Sequence, residues 1–142
     1  MKSFKIIFGT VVSAAAAYLG GIDGVLITLL AFISVDYVSG VVSAVKEKRL
    51  SSEVGFWGLV RKVFILALVG VGNLLDSYVI GSGAVFRTAV ALYYIGNEGV
   101  SILENSIRIG LPVPKKLKDI LIQLKNEVDK DESECGRGNT DE

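Results

Sequence analysis

The sequence predicts an all-α integral membrane protein, with four transmembrane helices followed by a cytoplasmic amphipathic helix. Three observations carry that expectation. Apolar residues collect in runs long enough to cross a hydrocarbon core of about 30 Å. Short glycine-containing breaks separate the runs, and basic residues gather in particular connections. Of 142 residues 51% are hydrophobic, although about half of the acidic residues lie beyond Val113 in a polar tail. The expected organisation is a membrane domain over 1–110, an amphipathic cytoplasmic or membrane-surface helix over 111–128, and an acidic disordered tail over 129–142.

The first run, Ile6 to Ile22, follows Lys2 and Lys5 and contains Ala14 to Ala17. A short basic region, an apolar stretch and small residues also describe a secretory signal peptide. The runs that follow require membrane insertion in either case. The second run, Val25 to Val45, has the length of one bilayer crossing, about 30 Å as a helix. Gly21-Ile22-Asp23-Gly24 separates it from the first and permits a tight helical hairpin.

A charged connection over 46–62 contains Lys46, Lys48, Arg49, Arg61 and Lys62 against Glu47 and Glu53. Phe56 and Trp57 lie within it. Tryptophan favours the headgroup level, so Glu53 to Val60 is expected to lie along the interface. The third run, Val63 to Ile80, includes Asn73 and Asp76 and ends at Gly81-Ser82-Gly83. The fourth, Ala84 to Leu103, carries Arg87, Asn97 and Glu98, and hydropathy alone leaves it out.

Charge bias favours keeping it. The amino terminus, the 46–62 connection and the segment after the fourth run are basic, whereas the turns at 21–24 and 81–83 carry no basic residue. Four spans place every basic region, and both termini, on the cytoplasmic side.

Polar residues inside the runs mark the expected site. Asp36 lies near the middle of the second span, with Ser39, Gly40 and Ser43 at helical intervals and Leu29, Leu30 and Phe32 assigned to the opposite side. Close helix packing, a hydrated pore and coupled ion transport all remain open for this stripe. On the fourth segment Arg87, Tyr94, Glu98, Ser101, Asn105 and Arg108 form one polar face, with Val90, Ala91, Ile95 and Ile102 in the apolar remainder. An amphipathic interfacial helix is the alternative to a crossing there.

Gly110-Leu111-Pro112-Val113-Pro114 ends the preceding helix. Beyond it, Leu117, Ile120, Leu121, Leu124 and Val128 keep a helical period among Lys115, Lys116, Lys118 and Lys125. Basic groups can meet anionic lipid while the leucines enter the interface. Trp57, Lys115, Lys116 and Lys118 are therefore the expected interfacial residues.

Catalysis finds no support. The sequence has no histidine, a single cysteine (Cys135), no nucleophile elbow and no phosphate loop. No catalytic residue, metal, cofactor or nucleic-acid partner is expected. Lipid and further copies of the chain are the expected partners.

Several blocks together resemble the phage-type lysis holins, a family that includes clostridial toxin-secretion holins. They are Asp36-Tyr37-Val38-Ser39-Gly40, Leu50-Ser51-Ser52, Gly58-Leu59-Val60-Arg61-Lys62, and Asn97-Glu98-Gly99-Val100-Ser101-Ile102-Leu103-Glu104-Asn105. Arg108 to Pro114 and Leu117 follow, so the likeness runs from about Asp36 to Leu124. The resemblance implies accumulation in the bacterial cytoplasmic membrane, homo-oligomerisation and lesion formation that releases an endolysin or a toxin. Asp36 would hold the family's acidic position in an early helix, and Glu98, Glu104 and Asn105 its polar fourth segment. A small-solute or ion transporter and a non-conducting membrane scaffold are the alternatives.

Overall fold

A computed structural model describes residues 2–117 and 119. Among these residues four long helices form: α1 (Lys2–Tyr18), α2 (Gly24–Lys46), α3 (Ser52–Leu74) and α4 (Val85–Ile109). α3 continues without a break into a π-helical turn, Leu75–Ile80.

Local chemistry sets the boundaries. Gly20 and Gly21, with φ of 82° and 91°, turn the chain out of α1 through the left-handed region that only glycine enters freely. Asp23 then caps α2, its carboxylate accepting the Leu26 N–H at 2.9 Å. Ser51 caps α3 by accepting the Val54 N–H at 3.2 Å, with Glu53 in the first turn. Gly81 ends the π-helical turn and Gly110 ends α4, both with positive φ. Pro112 and Pro114 follow, where they cannot prolong the helix.

α4 packs chiefly along α2 and next along α3. The start of α2 meets the start of α4 through Asp23 and Arg87, and the end of α2 meets the end of α4 through Lys46. Those two helices therefore run in the same direction, while α3 returns alongside them with Gly72 near the start of α4. Leu29, Ile33, Ile65, Val69 and Ala91 form the common core. α1 stands largely aside, held by the Tyr18 ring against Gly70 and by the Tyr18 hydroxyl, which donates to the Ala67 carbonyl at 2.8 Å.

Polarity is inverted relative to a water-soluble domain. Asp36, Ser43, Asp76, Arg87, Glu98 and Asn105 are buried, whereas Phe4, Ile27, Val38, Phe64 and Tyr93 are exposed. Burial of so many polar groups is tolerable only where they satisfy one another.

The expectation of four transmembrane helices is corrected. Among the described residues two helices are long and apolar enough to cross a membrane, Gly24–Lys46 and the continuous Ser52–Ile80. They support a membrane location. α1 has 17 residues, about 25 Å at the helical rise and short of a hydrocarbon core. α4 has the length, but Arg87, Asn97, Glu98, Glu104 and Arg108 make it too polar by composition.

Three smaller readings also change. Glu53 to Val60 is the opening of α3 and not a separate interfacial segment, because the Ser51 cap starts the helix there. Leu29 is fully buried on the same face as Asp36, as its seven-residue spacing requires, not on the opposite side. Ala91 likewise joins the inward face of α4. Most of the expected 111–128 helix, including Lys118, and the whole 129–142 tail lie outside the described residues.

Candidate functional site in the buried polar layer

The central cluster joins three helices. Lys62 of α3 points inward and its ammonium donates to both Asp36 of α2 and Glu98 of α4. All three side chains are largely removed from solvent, with 13% of Lys62, 10% of Asp36 and 5% of Glu98 exposed. The Asn105 amide reaches across from α4, donating to Asp36 Oδ1 at 3.2 Å and to Ser39 Oγ at 3.1 Å. Ser39 in turn donates to the Asp36 carbonyl at 3.0 Å. Charge-assisted bonds of this kind are stronger than neutral ones, and in a low dielectric they hold the helices in one register.

A second cluster closes the opposite end of the bundle. Arg87, 3% exposed, donates to Asp23 at 2.6 and 3.1 Å, to the Gly21 carbonyl at 3.0 Å, and to the Leu19 carbonyl. One guanidinium thus satisfies the carbonyls left over at the end of α1 and anchors the cap of α2. The Arg87 contact, helped by the Leu26 N–H, holds the Asp23 carboxyl down to about 2 from its ordinary 3.8. Asp76 supplies the cap that Ala84 lacks, accepting the N–H groups of Phe86 at 3.0 Å and Arg87 at 2.8 Å. Gly72 permits the approach, since a Cβ there would stand 3.0 Å from the Arg87 backbone.

At the other end Lys46 donates to the carbonyls of Arg108 (3.0 Å) and Ile109, so a cation from α2 finishes α4 where its dipole is negative. The exit of α4 therefore lies beside the basic 47–51 connection. A cleft of about 870 Å³ opens near this end, lined by residues of α2, α3 and α4 including Tyr37, Trp57, Arg61, Asp36, Lys62 and Glu98.

The residues singled out by sequence fall into distinct places. Asp36, Ser39, Glu98 and Asn105 meet around Lys62 or its immediate partners. Gly40 faces the Asn105 amide, and Ser43 is buried with its hydroxyl unpartnered. Tyr94 and Ser101 are half-buried on α4, and Tyr94 packs against the apolar core. Arg87 belongs to the other cluster, and Arg108 is exposed, 4.0 Å from Glu104. Trp57, Lys115 and Lys116 are exposed.

Lys62, Asp23 and Asp76 were not among the expected site residues. Lys62 reads as part of a basic connection until α3 is extended back to Ser51. Lys62, Ile65, Val69, Gly72 and Asp76 then follow one another at intervals of three or four, on one face. Among the described residues no group of three or more metal-ligating side chains comes together.

The comparisons agree on a family. The profile of the bacteriophage holin family matches residues 13–126, and the chain belongs to that family. An uncharacterized 14.9 kDa protein from the nagH 3′ region of Clostridium perfringens is 46% identical over 107 residues, covering 75% of this chain and 81% of that one. A protein described as a probable holin from Bacillus phage phi105 is 36% identical over 115 residues, 81% of this chain and 84% of its own. YqxH of Bacillus subtilis, also uncharacterized, is 33% identical over 123 residues, 87% of each chain. No solved structure matches.

Proposed function

We propose that this chain oligomerises in the bacterial cytoplasmic membrane and opens lesions through which an endolysin, or a secreted toxin, leaves the cell. The observation that carries the reading is the inverted bundle: a charged and amide-rich layer inside, an apolar surface outside. Such a chain already contains the lining of an aqueous opening. Lateral association of several copies lets the faces around Asp36 and Glu98 separate from one another and turn toward shared water, at the expense of the Lys62 bridges. Family membership and the likeness to a phage protein described as a probable holin support the lysis role. No catalytic step is assigned to the chain.

The orientation follows from charge. The end carrying Lys46, Lys48, Arg49, Arg61 and the exit of α4 faces the cytoplasm. Lys115 and Lys116, exposed just past the exit of α4, meet anionic lipid on that side. Cys135 is the single cysteine, so labelling of intact spheroplasts with a membrane-impermeant maleimide reads the side of the tail directly. Labelling before permeabilisation would reverse the carboxy-terminal assignment.

Dye release from liposomes tests the lesion. Purified protein inserted at high density should release large dyes, and failure to raise permeability sinks the assignment. Saturable, solute-selective flux without dye leakage would indicate a transporter; neither activity would indicate a scaffold. Asp36→Asn should change lesion timing while preserving insertion. Co-expression with an endolysin or with a secreted toxin identifies the payload.

A further inference from the structure

The central cluster contains two carboxylates and one ammonium. Asp36 and Glu98 both bind Lys62, so with both acids ionised the layer holds one uncompensated negative charge. Burial makes that charge expensive, several kcal/mol even after relaxation. Two adjacent carboxylates also oppose each other's ionisation.

Among the described residues the other charges facing the cleft do not supply the missing cation. From the connection, Arg49 is taken by Glu47; from α4, Arg108 lies by Glu104; and Arg61 of α3 is exposed to solvent. A separate observation marks the cleft as a place where polar ligands belong. Ser43, two turns along α2 from Asp36 and 2% exposed, lines it, and its hydroxyl has no partner among the described residues. Ser39 and Asn105 add polar atoms beside Asp36.

We propose that the Asp36–Lys62–Glu98 junction is a binding site for one monovalent cation per chain, a proton or a sodium ion, reached through the cleft from the basic end. A proton is shared by the two carboxyl groups. A sodium ion is held by their oxygens, the ligand type that hard cations select. Either one brings the layer to neutrality and completes the contact among α2, α3 and α4. The inference stands apart from lesion formation, because it concerns the closed bundle and is read without any permeability measurement.

Infrared spectroscopy of the full chain in lipid nanodiscs, at neutral pH in sodium-free buffer, tests the proton. The expected result is a protonated-carboxyl stretch, lost in both Asp36→Asn and Glu98→Gln, since each leaves one carboxylate with Lys62. The wild-type spectrum also carries the test if the amide variants do not fold: alkaline titration should remove one carboxyl proton per chain. Sodium is tested by thermal unfolding in sodium chloride against choline chloride at equal ionic strength, where a saturable rise in Tm of several degrees is expected. A carboxyl band without sodium selectivity assigns the proton, and selectivity without the band assigns sodium. Absence of both, or a band unchanged in both amide variants, overturns the site.

Discussion

Replacing Lys62 by methionine removes the one cation that α2 and α4 share through α3. Methionine keeps the length and apolar stem of the side chain, so packing along Ile65 and Val69 changes little. What changes is the environment of Asp36 and Glu98, which lose a common partner while staying 10% and 5% exposed. Removing one member of a buried ion pair costs about 3–5 kcal/mol, because the charge left behind has no water to return to. Here two carboxylates are left, and the upper half of that range is expected. A loss of about 4 kcal/mol lowers the folding equilibrium roughly a thousandfold. Denaturant or thermal unfolding in mild detergent, followed by circular dichroism, measures it. Asp36→Asn in the same background should recover about 1 kcal/mol or more, a coupling expected of residues in one network. Lys62→Met within about 0.5 kcal/mol of wild type, the range of an ordinary surface substitution, would refute the bridging role.

Other perturbations address the remaining contacts. Asp76→Ala deletes both acceptors at the start of α4 and should cost about 1–2 kcal/mol in the same unfolding assay, with Asp76→Asn milder. Gly70→Ala places a methyl group into the Tyr18 ring; α1 should detach, seen as faster proteolysis near Gly20 and Gly21 with the unfolding of α2 to α4 little changed. The Arg87–Asp23 contact has a signed pH dependence. Its contribution is fully present above the ordinary carboxyl value of 3.8 and is lost as pH falls through about 2. Asp23→Asn should therefore remove acid-dependent loss of stability in that window, and the same slope in both proteins would exclude the contact as its source.

Much of the chain was legible because local rules act on neighbouring residues. Glycine at 20–21, 81 and 110 marks breaks between helices, whereas the caps formed by Asp23 and Ser51 show only in the structure. The stripe on α4 from Arg87 through Glu98 to Asn105 is visible from spacing alone. What a stripe meets is not. Arg87 and Glu98 share a face but are three turns apart, about 16 Å, and serve different clusters at different depths.

The span count shows where local reasoning stops. Charge bias ranks connections by side, so it favoured an even number and four helices. It does not weigh the length of α1 or the polar load on α4. The residue pattern of this chain settled that it is helical with long apolar runs, and its motif blocks carry the resemblance to the bacteriophage holin family that the family match bears out. Folding settled that Lys62 is the hub, because only packing α3 against the α2–α4 pair brings residues 36, 62 and 98 to one point. Helical periodicity fixes the direction in which a side chain leaves its own helix. The partner it finds depends on long-range packing, and in a buried layer that partner decides whether a charge is bearable.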